Sequence, residues 1–117
     1  MQEKNQGWNV VKEDERYVVT DNNILNNLVA STTYLNPSHS TTGHKHPGQE
    51  EVYIFVKGMG RMLLGTQDGD NININEDFAV KQGDVVLIED GKFHRVVNDS
   101  ENELYFVCVF DGNRSHQ

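Results

Sequence analysis

The amino-acid sequence predicts an all-β protein, an antiparallel sandwich or barrel. Short segments rich in β-branched and aromatic residues recur along the chain, and Gly, Asn and Asp residues that favour turns separate them. The segment Asn71–Asn75 alternates polar and apolar side chains with a period of two, as a half-buried strand does. Apolar residues at helical spacing are almost absent. These observations together favour paired sheets over a helical fold.

The sequence of the first third of the chain predicts two short β-strands followed by one longer strand. Polar residues 1–9 are expected to form a loose end, with Trp8 packed onto the body of the protein. The segment Ile24–Leu28 is compatible with one helical turn or with an edge strand, and its pattern does not separate the two. Strands are predicted, from β-branched and aromatic content, at Val10–Val11, Tyr17–Val19 and Val29–Leu35.

The remaining two thirds of the chain predict a regular series of strands and turns. The pair Asp68–Gly69 is typical of a hairpin, because tight hairpin turns need residues that tolerate positive φ. A tight turn is also expected at Gly58–Gly60, and the tail from Asp111 is polar. The predicted strands are Glu51–Lys57, Arg61–Leu64, Asn71–Asn75, Phe78–Val80, Val85–Ile88, Phe93–Asn98 and Leu104–Phe110.

Composition limits both the organisation and the partners of the chain. Its 117 residues provide one domain, 1–117, with a single core. The formal charge of −8 argues against nucleic acid and against anionic membrane surfaces as partners. The single cysteine, Cys108, excludes an internal disulfide and fits a reducing compartment. With no signal-peptide pattern and no long apolar run, a cytoplasmic protein is expected. The modest hydrophobic content of 36% favours a homodimer, because a shared interface would add buried surface.

Three histidines and one glutamate form the candidate site. His44 and His46 are one residue apart, so an extended backbone would project both to one side. Glu51 follows across a Pro-Gly turn, at the start of a predicted strand. His94 lies on another predicted strand. Imidazoles and a carboxylate brought together in this way suit a divalent metal ion.

The residues around this site resemble the two motifs of the cupin family. The first cupin motif has two histidines around one residue, a glutamate after four more, and a glycine after six more. His44, His46, Glu51 and Gly58 stand at that spacing. The leading glycine of the motif is replaced by Ser38, for which the neighbouring Gly43 could partly compensate.

The second cupin motif is matched by Gly83, Gly91, His94 and Asn98, while Glu89 replaces its proline. The resemblance covers about residues 30–110. It implies a double-stranded β-helix, the cupin jelly roll, made of two antiparallel sheets. It also implies that the three histidines and Glu51 bind metal and that Asn98 supports the fold near His94.

Other polar residues have less specific interpretations. Glu50 competes with Glu51, but only Glu51 preserves the six-residue gap to Gly58, so we expect Glu50 to be solvated. His39 could line the mouth of the site, although a surface loop is the stronger expectation. His116 lies in the polar tail and is expected to be incidental. Cys108 stands among apolar residues, where a buried, inert thiol is expected.

Two further side chains are candidates for contact with a ligand. Tyr53 has the same strand parity as Glu51, so it is expected to face the interior, either as core packing or as a catalytic phenol that hydrogen-bonds substrate or transfers a proton. Arg61 would need an anionic partner if it faced inward and would be solvated if it faced out, with the outward orientation favoured. Lys45, between the two histidines, is expected to be exposed.

The ligand set restricts the metal without selecting it. Three nitrogens and one carboxylate leave two positions of an octahedron for water or a chelating substrate. Mn²⁺, Fe²⁺ and Ni²⁺ accept this arrangement, and Zn²⁺ is a further candidate although it prefers fewer ligands.

Three functions are compatible with such a centre. The leading hypothesis is a metal-dependent enzyme acting on a small oxygenated metabolite, with isomerisation of a sugar or sugar phosphate first, because the motifs look most like those of cupins described as sugar-phosphate isomerase-like. The alternatives are an iron-dependent dioxygenase and a non-catalytic sensor or binding module. In each case the partner is a small-molecule ligand, not a nucleic acid or a membrane.

Overall fold

The computed structural model describes residues 7–112, which form ten β-strands and no helix. No segment of this range is therefore a helix long and apolar enough to cross a membrane. The strands are β1 (Trp8–Glu13), β2 (Tyr17–Asn22), β3 (Leu28–Leu35), β4 (His39–Ser40), β5 (Glu51–Lys57), β6 (Met59–Asp68), β7 (Asn71–Lys81), β8 (Val85–Ile88), β9 (Phe93–Asn98) and β10 (Leu104–Asp111).

The strands form two antiparallel sheets that pack face to face. The larger sheet has the order β1-β2-β3-β10-β5-β8, and the smaller has the order β4-β9-β6-β7. Strand β10, the last in the chain, lies between β3 and β5 and pairs with both. The prediction of an all-β fold with two antiparallel sheets is confirmed.

The core lies between the two sheets and is closely packed with aromatic and aliphatic side chains. Phe55 and Phe106 are almost completely buried, with ring centroids 5.4 Å apart. Burying each such ring contributes about 1.5–3 kcal/mol. Tyr53 stacks on Phe106, with centroids 5.5 Å apart, and lies 6.4 Å from Phe55, so this aromatic group extends from the core toward the candidate site.

Several predicted strands have the bounds that the sequence indicated. Glu51–Lys57, Val85–Ile88 and Phe93–Asn98 are strands over their full predicted ranges. Gly58 separates β5 from β6 and has a φ of +94°, and a Cβ there would lie 2.5 Å from the carbonyl oxygen of Glu103. Only glycine fits this turn, which explains why the spacing from Glu51 to Gly58 is informative.

The structure corrects four details of the sequence-based assignment. Met59 and Gly60 belong to strand β6, not to the turn, and the separate strand expected at Phe78–Val80 is the end of the longer β7. The segment Ile24–Leu28, which was compatible with a helical turn or an edge strand, is neither helix nor strand before Leu28, where β3 begins. The expectation of a half-buried strand at Asn71–Asn75 is wrong, because this end of β7 is solvated on both faces and leaves Ile72 47% and Ile74 43% exposed.

The expected loose ends lie partly outside the described residues. Trp8 and Asn9 belong to β1, with Trp8 37% exposed, and Asp111 is the last residue of β10. The polar segments 1–6 and 113–117, the latter including His116, are not among the described residues.

Ser38 occupies the position of the missing motif glycine and has a φ of +64°. This left-handed conformation costs a residue with a Cβ about 1–2 kcal/mol, which glycine avoids. The backbone N–H of Ser38 donates to the carbonyl oxygen of Asn98 at 2.9 Å, so strand pairing holds the turn in place. Gly43 does not substitute for this function, because its own φ is not positive.

Asn98 connects three separate segments at the end of β9. Its side chain is fully buried. Its Nδ2 donates to the carbonyl oxygens of Leu35 at 2.9 Å and Asn102 at 2.8 Å. Its Oδ1 accepts from the backbone N–H and the hydroxyl of Ser100, at 3.0 and 2.7 Å. All the bonding capacity of the amide is thereby used, and β9 is fixed to β3 and to the loop that follows.

The larger sheet also has an outer face, directed away from the core, that is mainly apolar. Strand register places the outward side chains opposite one another across all six strands. Charged residues on this face stand at strand ends, as Glu13 and Asp111 do. The apolar side chains on the face are Trp8, Val10, Val18, Leu28, Ala30, Tyr34, Val52, Ile54, Val56, Val85, Leu87, Tyr105, Val107 and Val109.

We expect Asn98→Ala to lower the free energy of unfolding by about 3 kcal/mol, because four hydrogen bonds are lost and buried carbonyl groups lose their donor. Urea denaturation followed by tryptophan fluorescence or circular dichroism measures this change. The exposed Asn73→Ala on β7 is the control and should shift stability by less than about 0.5 kcal/mol. Similar effects of the two substitutions would contradict the assigned role of Asn98.

Candidate metal centre

The candidate centre is assembled by a backbone bridge between two of the predicted histidines. His44 and His94 exchange two hydrogen bonds, from His44 N to His94 O at 3.2 Å and from His94 N to His44 O at 3.0 Å. His44 is an isolated bridge residue, so the segment with His44 and His46 is not the regular strand that was expected. The bridge nevertheless brings a loop histidine beside a histidine of β9.

Ring nitrogens of His44, His46 and His94 lie within 4.8 Å of one another. Donors bound to one ion at about 2.1 Å lie roughly 3 to 4.2 Å apart in six-coordinate geometry. The spacing of the three nitrogens is therefore on the scale of a single coordination sphere. His94 and His46 are buried, and His44 is half-buried. Three histidines in this arrangement could hold a divalent metal ion.

Glu51 supplies a carboxylate to the same cluster. Its side chain is 6% exposed, and Oε1 lies 3.5 Å from Nε2 of His94 and 4.0 Å from Nε2 of His46. Strand β5 explains this position, because Glu51 is the first residue of the strand and faces inward with Tyr53 and Phe55. Glu50, just before the strand, is exposed.

A backbone contact orients the ring of His94. Its Nδ1 lies 3.0 Å from the carbonyl oxygen of Lys92. A carbonyl oxygen only accepts hydrogen bonds, so Nδ1 carries the proton, and in the neutral imidazole Nε2 presents its lone pair to the cluster. Metal-binding histidines commonly have their second nitrogen fixed in this way. The turn from Glu89 to Lys92 positions that carbonyl through the bond from Lys92 N to Glu89 O at 3.0 Å.

Gly43 allows the loop to approach β9 closely. A Cβ at this position would lie 2.1 Å from the ring of Phe93, the residue before His94. The absence of a side chain at Gly43 therefore lets the loop pack closely against Phe93, beside the histidines.

A cavity of about 540 Å³, its open mouth included, adjoins the cluster. His44, Glu51 and Tyr53 line one part of it. The Tyr53 ring stands nearly perpendicular to the ring of His94, with centroids 5.6 Å apart. The phenol thus belongs to the wall to which the candidate metal ligands His44 and Glu51 also contribute.

Sequence reasoning missed a further part of the cavity wall. This wall combines hydroxyl groups with a lysine, contributed by β1, β2, β3 and the loop before His44. No motif contains these residues. Their only sequence signal is that polar residues occupy inward positions of strands whose inward side chains are expected to be apolar. They are Lys12, Tyr17, Ser31, Thr33, Thr41 and Thr42.

Other candidate residues from the sequence lie in different surroundings. Arg61 faces outward, as favoured, and its Nε donates to Oδ1 of Asp77 at 2.6 Å. His39 lies on β4, beside the loop and outside the cavity that contains the cluster. Cys108 is buried, as expected, and its thiol contributes to the cavity lining. Lys45 is half-buried, contrary to expectation, because Nζ donates to the carbonyl oxygen of Gln67 at 2.7 Å.

Fold and site together define a small two-sheet β protein with a histidine-rich centre at one end of its core. Residues 31–110 match the family model of the cupin domain. The chain belongs to the cupin family, as its two motifs predicted.

The chain is similar in sequence to cupin-type isomerases and to a small-ligand-binding protein. The chain is 32% identical over 119 residues to a glucose-6-phosphate isomerase of Pyrococcus furiosus, a match that covers 92% of this chain and 61% of that protein. It is 32% identical over 75 residues to an oxalate-binding protein of Thermotoga maritima, covering 64% of this chain and 54% of that protein. The chain thus spans little more than half the length of these two relatives.

Among solved structures, the fold is similar to that of Bacillus subtilis oxalate decarboxylase, a protein described with Mn(II) centres. The TM-score is 0.76 at 21% identity, and the match covers 92% of this chain and 28% of that chain. At this identity the similarity establishes a shared fold.

Proposed function

We propose that this protein is a metal-dependent cupin enzyme that binds a small oxygenated metabolite beside its histidine cluster and isomerises it by proton transfer. The observation that carries the proposal is the buried carboxylate of Glu51, 3.5 Å from Nε2 of His94 in a three-histidine cluster beside a polar cavity. A carboxylate is costly to bury without compensating positive charge. A divalent ion would supply that charge.

The proposed ligands are His44, His46, His94 and Glu51. Imidazole nitrogens with one carboxylate oxygen suit Mn²⁺, Fe²⁺ or Ni²⁺, with Zn²⁺ as a further candidate. The manganese centres described for Bacillus subtilis oxalate decarboxylase support Mn²⁺ among these. A bound dication would supply positive charge that polarises a carbonyl or hydroxyl oxygen of the ligand.

The reaction class is supported by the similarity to the Pyrococcus furiosus isomerase. An aldose–ketose isomerisation moves one proton between neighbouring carbons and one between their oxygens, so it needs a group that gives and accepts protons. Tyr53 is proposed for this step, because its ring lies against His94 and lines the cavity that would hold the substrate. General acid–base catalysis is typically worth about 10²- to 10⁴-fold in rate.

A second candidate function is ligand binding without turnover. The match to an oxalate-binding protein of Thermotoga maritima favours it, because that protein is described as binding oxalate, a small dicarboxylate. Oxidation of the ligand by dioxygen at an iron centre is the remaining alternative, and oxygen uptake distinguishes it from isomerisation.

We expect Glu51→Gln to lose most of the bound divalent metal, since it removes the only charge among the proposed ligands. Glu50→Gln is the matched control one residue away and should retain metal, because Glu50 is exposed. Metal analysis of protein purified without added metal, followed by titration with Mn²⁺, measures both. Equal losses in the two variants, or a larger loss at position 50, would refute the ligand assignment.

We expect Tyr53→Phe to keep its metal content but to reduce turnover at least about tenfold, a cautious threshold for loss of a proton-transfer group. Incorporation of solvent deuterium into a sugar phosphate, followed by mass spectrometry, measures isomerisation directly. Tyr105→Phe, on the outer face, is the control. Full turnover in Tyr53→Phe would make Tyr53 a packing residue, and absence of both deuterium incorporation and oxygen uptake in the wild type would favour the binding function.

We also propose that the protein functions as a homodimer through the outer face of its larger sheet. Tyr34, 39% exposed, stacks on Tyr105 with centroids 4.3 Å apart, on the two central strands of this face. Partial burial raises the pKa of Tyr105 above its usual range. A second copy suits the surface because its identical face is equally apolar, with charged side chains at strand ends, as at Glu13 and Asp111.

The extent of the outer face is compatible with a stable dimer. The six strands lie about 4.8 Å apart and have four to eight residues at about 3.4 Å each, which gives a face roughly 24 Å wide and at most about 27 Å long. The area of this face is thus on the order of the 800 Å² per partner that specific interfaces bury. Two such faces would pack like the layers of a β-sandwich, about 10 Å apart.

We expect light scattering at micromolar concentration to give twice the chain mass of 13.3 kDa. Tyr34→Glu should shift the protein to monomer, because it buries an unpaired charge in the proposed interface. Ile72→Glu, equally exposed but on the smaller sheet, should leave the dimer intact. A monomeric wild type would refute the dimer, and dissociation by Ile72→Glu alone would move the interface to the other sheet.

A further inference from the structure

Lys12 is directed into the cavity by an irregularity in the first hairpin. Val10 pairs with Thr20, but Lys12 pairs with Val19, so Val11 is an extra residue in the β1–β2 ladder. Without this bulge Val11 would oppose Val19 and face inward, and Lys12 would point to the outer face. With it, Val11 is exposed and Lys12 is half-buried at the cavity wall. Bulges commonly redirect a side chain in this way beside functional sites.

The other cation near the mouth is already neutralised. Nη2 of Arg16 lies 2.8 Å from Oδ2 of Asp14, and these hydrogen bonds lower the pKa of Asp14 to about 2. The same guanidinium donates to the hydroxyl oxygens of Thr42, at 2.8 Å, and Tyr17, at 3.0 Å. Arg16 therefore braces the rim of the cavity and has little capacity left for a ligand.

Lys12 differs from Arg16 in having no such partner within residues 7–112. No ion pair or hydrogen bond to its ammonium occurs in this part of the chain. The neighbouring cavity wall offers the hydroxyl groups of Ser31 and Thr33, which are neutral and can donate to an anion. The one carboxylate lining the cavity, Glu51, lies against the histidine cluster.

We propose that Lys12 is a specificity-determining residue that binds an anionic group, a phosphate or a carboxylate, of the metabolite in the cavity. The inference rests on the proposed function, because it takes this cavity to be the ligand site. The ligand then has two recognised parts, oxygen atoms beside the histidine cluster and an anionic group at the mouth. The flexible stem of lysine suits an anion whose position varies between ligands.

The experiment measures binding of inorganic phosphate, oxalate, glucose 6-phosphate and uncharged glucose by calorimetry, with and without Mn²⁺. We expect Lys12→Met to weaken binding of at least one anionic probe by about tenfold or more, as for loss of a charged hydrogen bond. Lys12→Arg should retain most of the affinity, and glucose should be unaffected. The control Lys57→Met, an exposed lysine at the far end of β5, should bind as the wild type does.

The outcomes separate the two proposals. The inference is wrong if the wild type binds no anionic probe at millimolar concentration, or if Lys12→Met binds every anionic probe as tightly as the wild type. Mn²⁺ affinity should be the same in Lys12→Met and wild type, and a parallel loss of metal would also overturn the inference. If the wild type binds no metal but binds an anion through Lys12, the metal-dependent function fails and the anion site stands. Phosphate-selective binding identifies a phosphorylated ligand, and oxalate-selective binding identifies a carboxylate.

Discussion

The paired backbone hydrogen bonds between His44 and His94 are the constraint on which the candidate centre depends. They attach an irregular loop to strand β9, although fifty residues separate the two histidines in the sequence. Side-chain contacts alone would not hold the loop in one register. The close approach at Gly43, where a Cβ would collide with Phe93, and the fully bonded amide of Asn98 hold both partners of this bridge in place.

Electrostatics divides the cavity into two unlike ends. The inner end combines Glu51 with nitrogen donors, which suits a cation, and the mouth carries the ammonium of Lys12. A small ligand with an oxygen chelate at one end and an anionic group at the other would match both. Arg16 contributes in a different way, because its charge is balanced by Asp14 and its hydrogen bonds stiffen the rim. In the proposed function, Lys12 recognises the ligand and Arg16 supports the rim, so two cations of one hairpin have different roles.

The cupin fold and the histidine cluster could be predicted from the sequence because both depend on local spacing. Alternation places Tyr53 on the same face as Glu51. Only glycine fits the tight turn at position 58, so the six-residue spacing from that glycine identifies Glu51. The same rule failed for Asn71–Asn75. Alternation there predicts burial on one side, but β7 is an edge strand whose first half is exposed on both faces, and Ile72 and Ile74 stay in water.

The sequence by itself determined the class of fold, most strand positions and the residue types of the centre, because strand period, turn chemistry and motif spacing are local properties of the chain. Tertiary structure decided which side chains share a cavity. Lys12 illustrates the difference. Its sequence neighbours predict only a short β-prone segment, and whether it faces the cavity or the outer surface depends on the register of β1 against β2. A single bulged residue reverses that orientation. Register depends on how two strands pair, and the residue spacing along one strand carries no information about that pairing.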